Sequence, residues 1–211
     1  MPKKNTPSRA LVPAPAQKLY PIDEATIEPT QLVIKGRRHP FGDGPWKHEP
    51  DKIAWIDAST GLACTVLRKE NGVLSGYVGL TPDHPLFGFF ADAIPSMLGM
   101  AVHGGLNYAA ACDERGPEDI SVCHPSAAPD DALWWLGFSC DHGYDYVPDR
   151  AGKPLAEENG QAYRTEAYVY RETVKLARQL KAISEGDGAA GVAVDVSTSI
   201  PPIGLDPEGR S

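Results

Sequence analysis

Residues able to do chemistry near neutral pH gather in two short stretches. Val102-His103-Gly104-Gly105-Leu106-Asn107 sets an imidazole beside paired glycines, and Cys140-Asp141-His142 with Asp145 adds a thiol, two carboxylates and a second imidazole. Imidazole, thiolate and carboxylate together form a zinc set, in which three protein ligands leave a fourth position for an activated water. His103, Cys140, His142 and Asp145 are the candidate ligands, and Asp141 or His84, from the preceding Asp83-His84-Pro85 loop, is the candidate base. A second chemistry makes Cys140 a nucleophile and His103 its base, with Asn107 or Asp145 orienting the ring. Against it, the residues after Cys140 read as loop rather than helix N-terminus, and Asp141 alongside disfavours a thiolate. A third, plainer option is that Cys140 is a small buried hydrophobe and His103 satisfies a backbone carbonyl.

These groups meet only if the elements carrying them are neighbours. Met100–Ala110 and Leu133–Cys140 have the aromatic and branched residues of central strands, and alternation then puts His103, Gly105 and Asn107 on one face. The same rule groups Leu136, Phe138, Cys140 and His142. Gly104 and Gly105 inside a strand signal a bulge or the close approach of a ligand or another backbone, so with Asn107 they are expected to line a bound group. Ile53–Ala58, Leu62–Arg68 and Val73–Leu80 read as an antiparallel meander, the last two joined through Asn71-Gly72. Phe89–Leu98 reads as a short helix interrupted at Pro95. Gln161–Ser184 is the clearest helix, with Val169, Thr173, Leu176, Leu180 and Ile183 forming one apolar stripe. The expected fold is α+β, an antiparallel sheet of about five strands packed against a C-terminal amphipathic helix.

A chain of 211 residues suits one core. Residues 1–40 read as a flexible, Pro-rich basic arm, 41–184 as a single α+β domain, and 185–211 as a flexible Gly/Pro-rich tail. The stretch 36–52 reads as a surface approach, with His39 and His48 solvated. Net charge is −8, with +4 on residues 1–40 and −12 on the rest. An acidic body of this kind argues against general nucleic-acid binding, while the arm offers a contact for a protein partner. No run approaches the roughly 18 apolar residues of a membrane span. Four cysteines without a CxxC pair, and no apolar signal core, fit a reducing cytoplasm.

Gly76-Tyr77-Val78-Gly79, His84-Pro85-Leu86, Val102-His103-Gly104-Gly105-Leu106, Trp135-Leu136-Gly137-Phe138 with Cys140 and His142, and Tyr163-Arg164-Thr165-Glu166-Ala167-Tyr168-Val169 together resemble a family of small phage and bacterial proteins. That family carries a pattern near VHGGLTY followed by WFGFDCAHxGD. The likeness spans about residues 53–183 and departs at Asn107, where the pattern has Thr, at Ser139, where it has Asp, and at Tyr144, which separates Gly143 from Asp145. The resemblance implies an accessory phage product acting in the host cytoplasm. Three functions are consistent with these observations. One is a protein that binds or hydrolyses a small molecule, with zinc as cofactor. Another is a non-enzymatic binding or inhibitory protein acting on a macromolecule, and the last a minor virion component with extended arms.

Overall fold

The computed structural model describes residues 19–111, 117–123, 133–148 and 160–186. The strands are β1 Tyr20–Ile22, β2 Ala25–Ile27, β3 Gln31–Val33, β4 Lys52–Ile56, β5 Ala63–Arg68, β6 Leu74–Leu80, β7 Tyr108–Ala111 and β8 Trp134–Ser139, followed by helix α1, Glu166–Glu185. Strands β1 and β2 form a separate hairpin, and the others a six-stranded sheet in the order β3-β4-β5-β6-β8-β7. Every strand pair is antiparallel. The expected α+β architecture therefore holds, with more strands than the five anticipated.

The β4–β6 meander forms where the alternating branched residues and the Asn71-Gly72 turn place it, with Gly72 at φ 83°. Helix α1 starts later than its apolar pattern suggested. The Thr165 hydroxyl accepts the Tyr168 N–H and caps the helix there, and Gly186 ends it in the left-handed conformation. The whole predicted stripe from Val169 to Ile183 is buried against β5 and β6. Gly76 makes the close seat: a Cβ there would lie 2.2 Å from the Thr173 hydroxyl. On the helix side the core includes Trp55, Leu74, Leu136, Phe138, Leu176 and Leu180, and on the opposite face Leu67, Tyr77, Val122 and Trp135 form a smaller cluster.

Three expectations are corrected. Residues 20–33 of the supposed arm carry three strands, the first two joined by a tight turn with Asp23 at φ 53°; residues 1–18, and 187–211 of the tail, lie outside the described residues. The stretch 36–52 does not merely run over the surface, because Trp46, Glu49, Asp51 and Lys52 are all buried. Phe89–Leu98 forms two short 3-10 turns, Ala91–Ala93 and Ser96–Leu98, with Pro95 between them. No helix among the described residues is long and apolar enough to cross a membrane. Cys64 and Cys140 are free thiols, but Cys123 is disulfide-bonded. Disulfides persist in oxidising surroundings, so the cysteine pattern does not support the expected reducing compartment.

Candidate metal centre

Strands β7 and β8 pair directly, Tyr108 opposite Gly137, which brings the segment before β7 and the segment after β8 to one edge of the sheet. Residues 102–105 are not strand. Gly104 and Gly105 have φ of 63° and 83°, and the Gly105 N–H closes a turn onto the Val102 carbonyl. Two successive positive φ angles are incompatible with a strand, so alternation does not govern His103. The turn is held from α1 instead. Gln179 bonds both the N–H and the carbonyl of Ala101, at 2.7 and 2.9 Å, and Glu172 accepts the His103 N–H at 2.9 Å. After β8 the chain turns again, with the Asp145 N–H donating to the His142 carbonyl at 2.9 Å.

Asp145 is the hub. Its Oδ2 lies 2.8 Å from His103 Nε2, 3.1 Å from the His142 N–H and 3.3 Å from His142 Nδ1, while Oδ1 accepts Arg164 Nε at 2.8 Å. Burial works against its ionisation, but the hydrogen bonds from His103 and Arg164 outweigh that and hold the carboxyl below its ordinary range. With Nε2–H donating to Asp145, His103 Nδ1 accepts the Tyr168 hydroxyl at 2.9 Å. Burial, reinforced by Glu172, pushes the Tyr168 phenol up to about 12, so the proton stays on it. His142 stacks on Tyr144, 5.5 Å between ring centres. The ring also meets Gly104, where a Cβ would lie 2.0 Å from Cε1, so only glycine admits the imidazole in this position.

One ligand atom each from His103, His142 and Asp145 lie within 4.8 Å of one another, and the three could hold a metal ion. Bonds of about 2.0–2.1 Å in a tetrahedron put neighbouring ligand atoms about 3.3 Å apart. The His142–Asp145 separation of 3.3 Å matches this, and the 2.8 Å between His103 and Asp145 needs a small opening. Outer partners are already in place. Tyr168 would accept from His103 Nδ1–H once Nε2 turned its lone pair to an ion, and Arg164 fixes the second oxygen of Asp145.

The remaining sequence candidates are placed elsewhere. Cys140 is 1% exposed, does not belong to the ligand group, and packs in the helix-side core with Leu136 and Phe138. Burial, with Asp145 adding to it, pushes its thiol well up, the opposite of what a nucleophile or thiolate ligand requires. Asp141 is no base for this centre. It accepts from Ser139 at 2.6 Å and Asn71 at 3.2 Å, and it lines a cleft of about 540 Å³ with Leu67, Tyr77 and Tyr108 on the other side of the sheet. Asn107 follows it, donating to the Ser139 hydroxyl at 2.6 Å. His84 uses both ring nitrogens on backbone, accepting from the Leu86 N–H at 3.0 Å and donating to the Leu180 carbonyl at 2.9 Å. Leu180 is twelve residues beyond Tyr168, about 18 Å along α1. Gly105 is exposed, with nothing within 4 Å of a Cβ built on it.

Sequence reasoning missed Arg164, Tyr168 and Glu172. The available signal was polar side chains inside the buried arc of α1, since Glu172 falls three residues after Val169 and is 4% exposed.

A second polar centre lies at the C-terminal end of β5. Arg68 is fully buried, and all five of its N–H donors have acceptors: Asp51 at 2.6 Å, Glu49 and Pro50 at 3.3 Å, Gly72 at 2.8 Å and Tyr163 at 2.9 Å. His39 is not solvated as expected, because its Nδ1 meets Asp51 at 2.8 Å.

No protein-family model matches the sequence, and no curated protein and no solved structure is significantly similar to it.

Proposed function

We propose that this chain is an accessory protein of the phage type implied by its motifs. In this proposal His103, His142 and Asp145 hold a divalent metal ion and use it to bind or hydrolyse a small molecule. Zinc suits two imidazoles and one carboxylate, and leaves a coordination position open. The observation that carries the proposal is the convergence of three ligand atoms within 4.8 Å, backed by Tyr168 and Arg164 as outer partners. The ion would supply a water that is deprotonated near neutral pH. The chain's own contribution is positional: Tyr168 fixes the His103 ring, Arg164 fixes the Asp145 carboxylate, Tyr144 stacks on the His142 ring, and Gly104 leaves room for it. Action in the host cytoplasm belongs to the same proposal; it rests on the motif resemblance alone, and the Cys123 disulfide counts against it.

One observation favours a second function. Asp145 already accepts from four donors, and its 2.8 Å contact with His103 is of ordinary hydrogen-bond length. On that basis the cluster would be an ion-free pin in a non-enzymatic protein that binds or inhibits a macromolecule. Metal analysis of the untagged full chain after zinc loading and dialysis separates the two. The metal proposal expects one zinc per chain and its loss in His142→Ala. Wild-type protein without stoichiometric metal overturns it and leaves the pin.

A further inference from the structure

The two arginines of the buried networks differ in what they leave unused. Arg68 has an acceptor for every donor, whereas Arg164 commits Nε to Asp145, and its Nη1 and Nη2 have no partner among the described residues. The Arg164 side chain is 17% exposed, so part of it is open to solvent. Two rings fix the guanidinium: its carbon lies 4.9 Å from the centre of Tyr168 and 5.9 Å from that of Tyr144. Tyr144 is also the ring on which His142 stacks, so the free guanidinium edge and the candidate metal ligand share one aromatic support. Beside them, Gly105 and Gly143 are exposed, and a Cβ built on either meets nothing within 4 Å, which leaves the approach open.

Charge decides what should come in. Asp145 is paired with Arg164, and Glu172 with Lys175 at 3.5 Å, so the groups around the centre balance without an ion. A divalent ion bound by two neutral imidazoles and that carboxylate adds two positive charges with no protein group left to offset them. Uncommitted guanidinium N–H groups in a fixed plane suit a group carrying two oxygens on one atom.

We infer that the ligand of this centre is an oxyanion, a phosphoryl or carboxylate group that bridges the metal and the Nη edge of Arg164. The inference rests on the metal proposal and adds the ligand class to it. Arg164 is here a binding residue in its own right as well as the clamp on Asp145.

The test uses the full chain loaded with cobalt(II), whose visible spectrum reports on its coordination sphere, titrated separately with inorganic phosphate and with acetate. A saturable spectral change with either anion is expected, and the tighter of the two identifies the phosphoryl or the carboxylate class. Arg164→Lys keeps a cation beside Asp145 but loses the planar fork. It should retain one cobalt per chain and weaken anion binding about tenfold or more. Cobalt that binds but gives no response to either anion, or equal anion affinity in wild type and Arg164→Lys, overturns the inference while the metal proposal stands. Absence of cobalt binding in the wild type removes the metal proposal and the inference with it.

Discussion

The network around Arg68 and the centre around Asp145 are built from similar parts, yet one is closed and the other is not. Each has a buried charge, tyrosine hydroxyls and a histidine ring. Around Arg68 every donor is matched and the side chain is fully buried, as expected of a network that joins β5 to the segment before β4 and to the residues before α1. Around Asp145 the carboxylate is saturated, but its partners are not: the His142 side chain is 26% exposed and Arg164 has donors to spare. Buried polarity alone therefore does not distinguish a structural network from a binding site. On the proposed function, the unused and partly exposed hydrogen-bonding capacity does.

The largest test of this contrast removes the closed network. Arg68→Met strands the Glu49 and Asp51 carboxylates in the interior, and should cost about 3–5 kcal/mol in urea denaturation, a large share of a typical domain's stability. A loss within 1 kcal/mol would show that the network is not closed to water. Next comes Gly104→Ala, which meets the His142 ring and also strains a positive φ. It should cost about 2–3 kcal/mol and abolish metal uptake. Gly105→Ala, with the same backbone strain but open space around it, should lose only about 1 kcal/mol and keep the metal.

His142→Ala sharpens the comparison from the other side. It should cost about 1 kcal/mol or less while eliminating stoichiometric zinc, so binding and stability separate at this residue as they cannot at Arg68. A pH-dependent effect concerns Lys52, a buried cation one residue from Asp51 that among the described residues donates to the carbonyls of Glu118 and Cys123, at 2.7 and 3.0 Å. Burial holds its ammonium down to about 8, against the opposing pull of Glu118 and Asp119. The unfolded chain then binds that proton more tightly, so the penalty is fully present below about pH 8 and fades as pH rises toward about 10.4, the ordinary lysine value. Wild-type stability relative to Lys52→Met should accordingly rise across that interval. A flat difference would place Lys52 in water.

The layout of the sheet and helix was readable because it rests on local patterns: branched strands, an Asn-Gly turn and a five-residue stripe. The candidate site was readable for a less direct reason. His103 was assigned to a strand face, and the glycines that break that strand are what deliver the ring to His142 and Asp145. His103, His142 and Asp145 come together because β7 and β8 are neighbours, a pairing on which any local geometry at their ends would converge, whereas Cys140, Asp141 and His84 do not join them. Arg164, just ahead of α1, and Glu172, within it, were hard to read, since a charged residue there looks solvated unless its tertiary partner is known. The same holds for Glu49 and Asp51. Within a Pro-rich approach segment they resemble surface charges, and only the position of Arg68, distant in sequence, makes them interior.

Tyr163 and Arg164 are consecutive residues, yet the first reaches Arg68 and Glu49 while the second reaches Asp145. A single peptide unit is thus the mechanical joint between the two networks. Any displacement that draws the arginine toward an arriving guest must tug the tyrosine in its anchored socket, so the closed network sets how far the open one can yield.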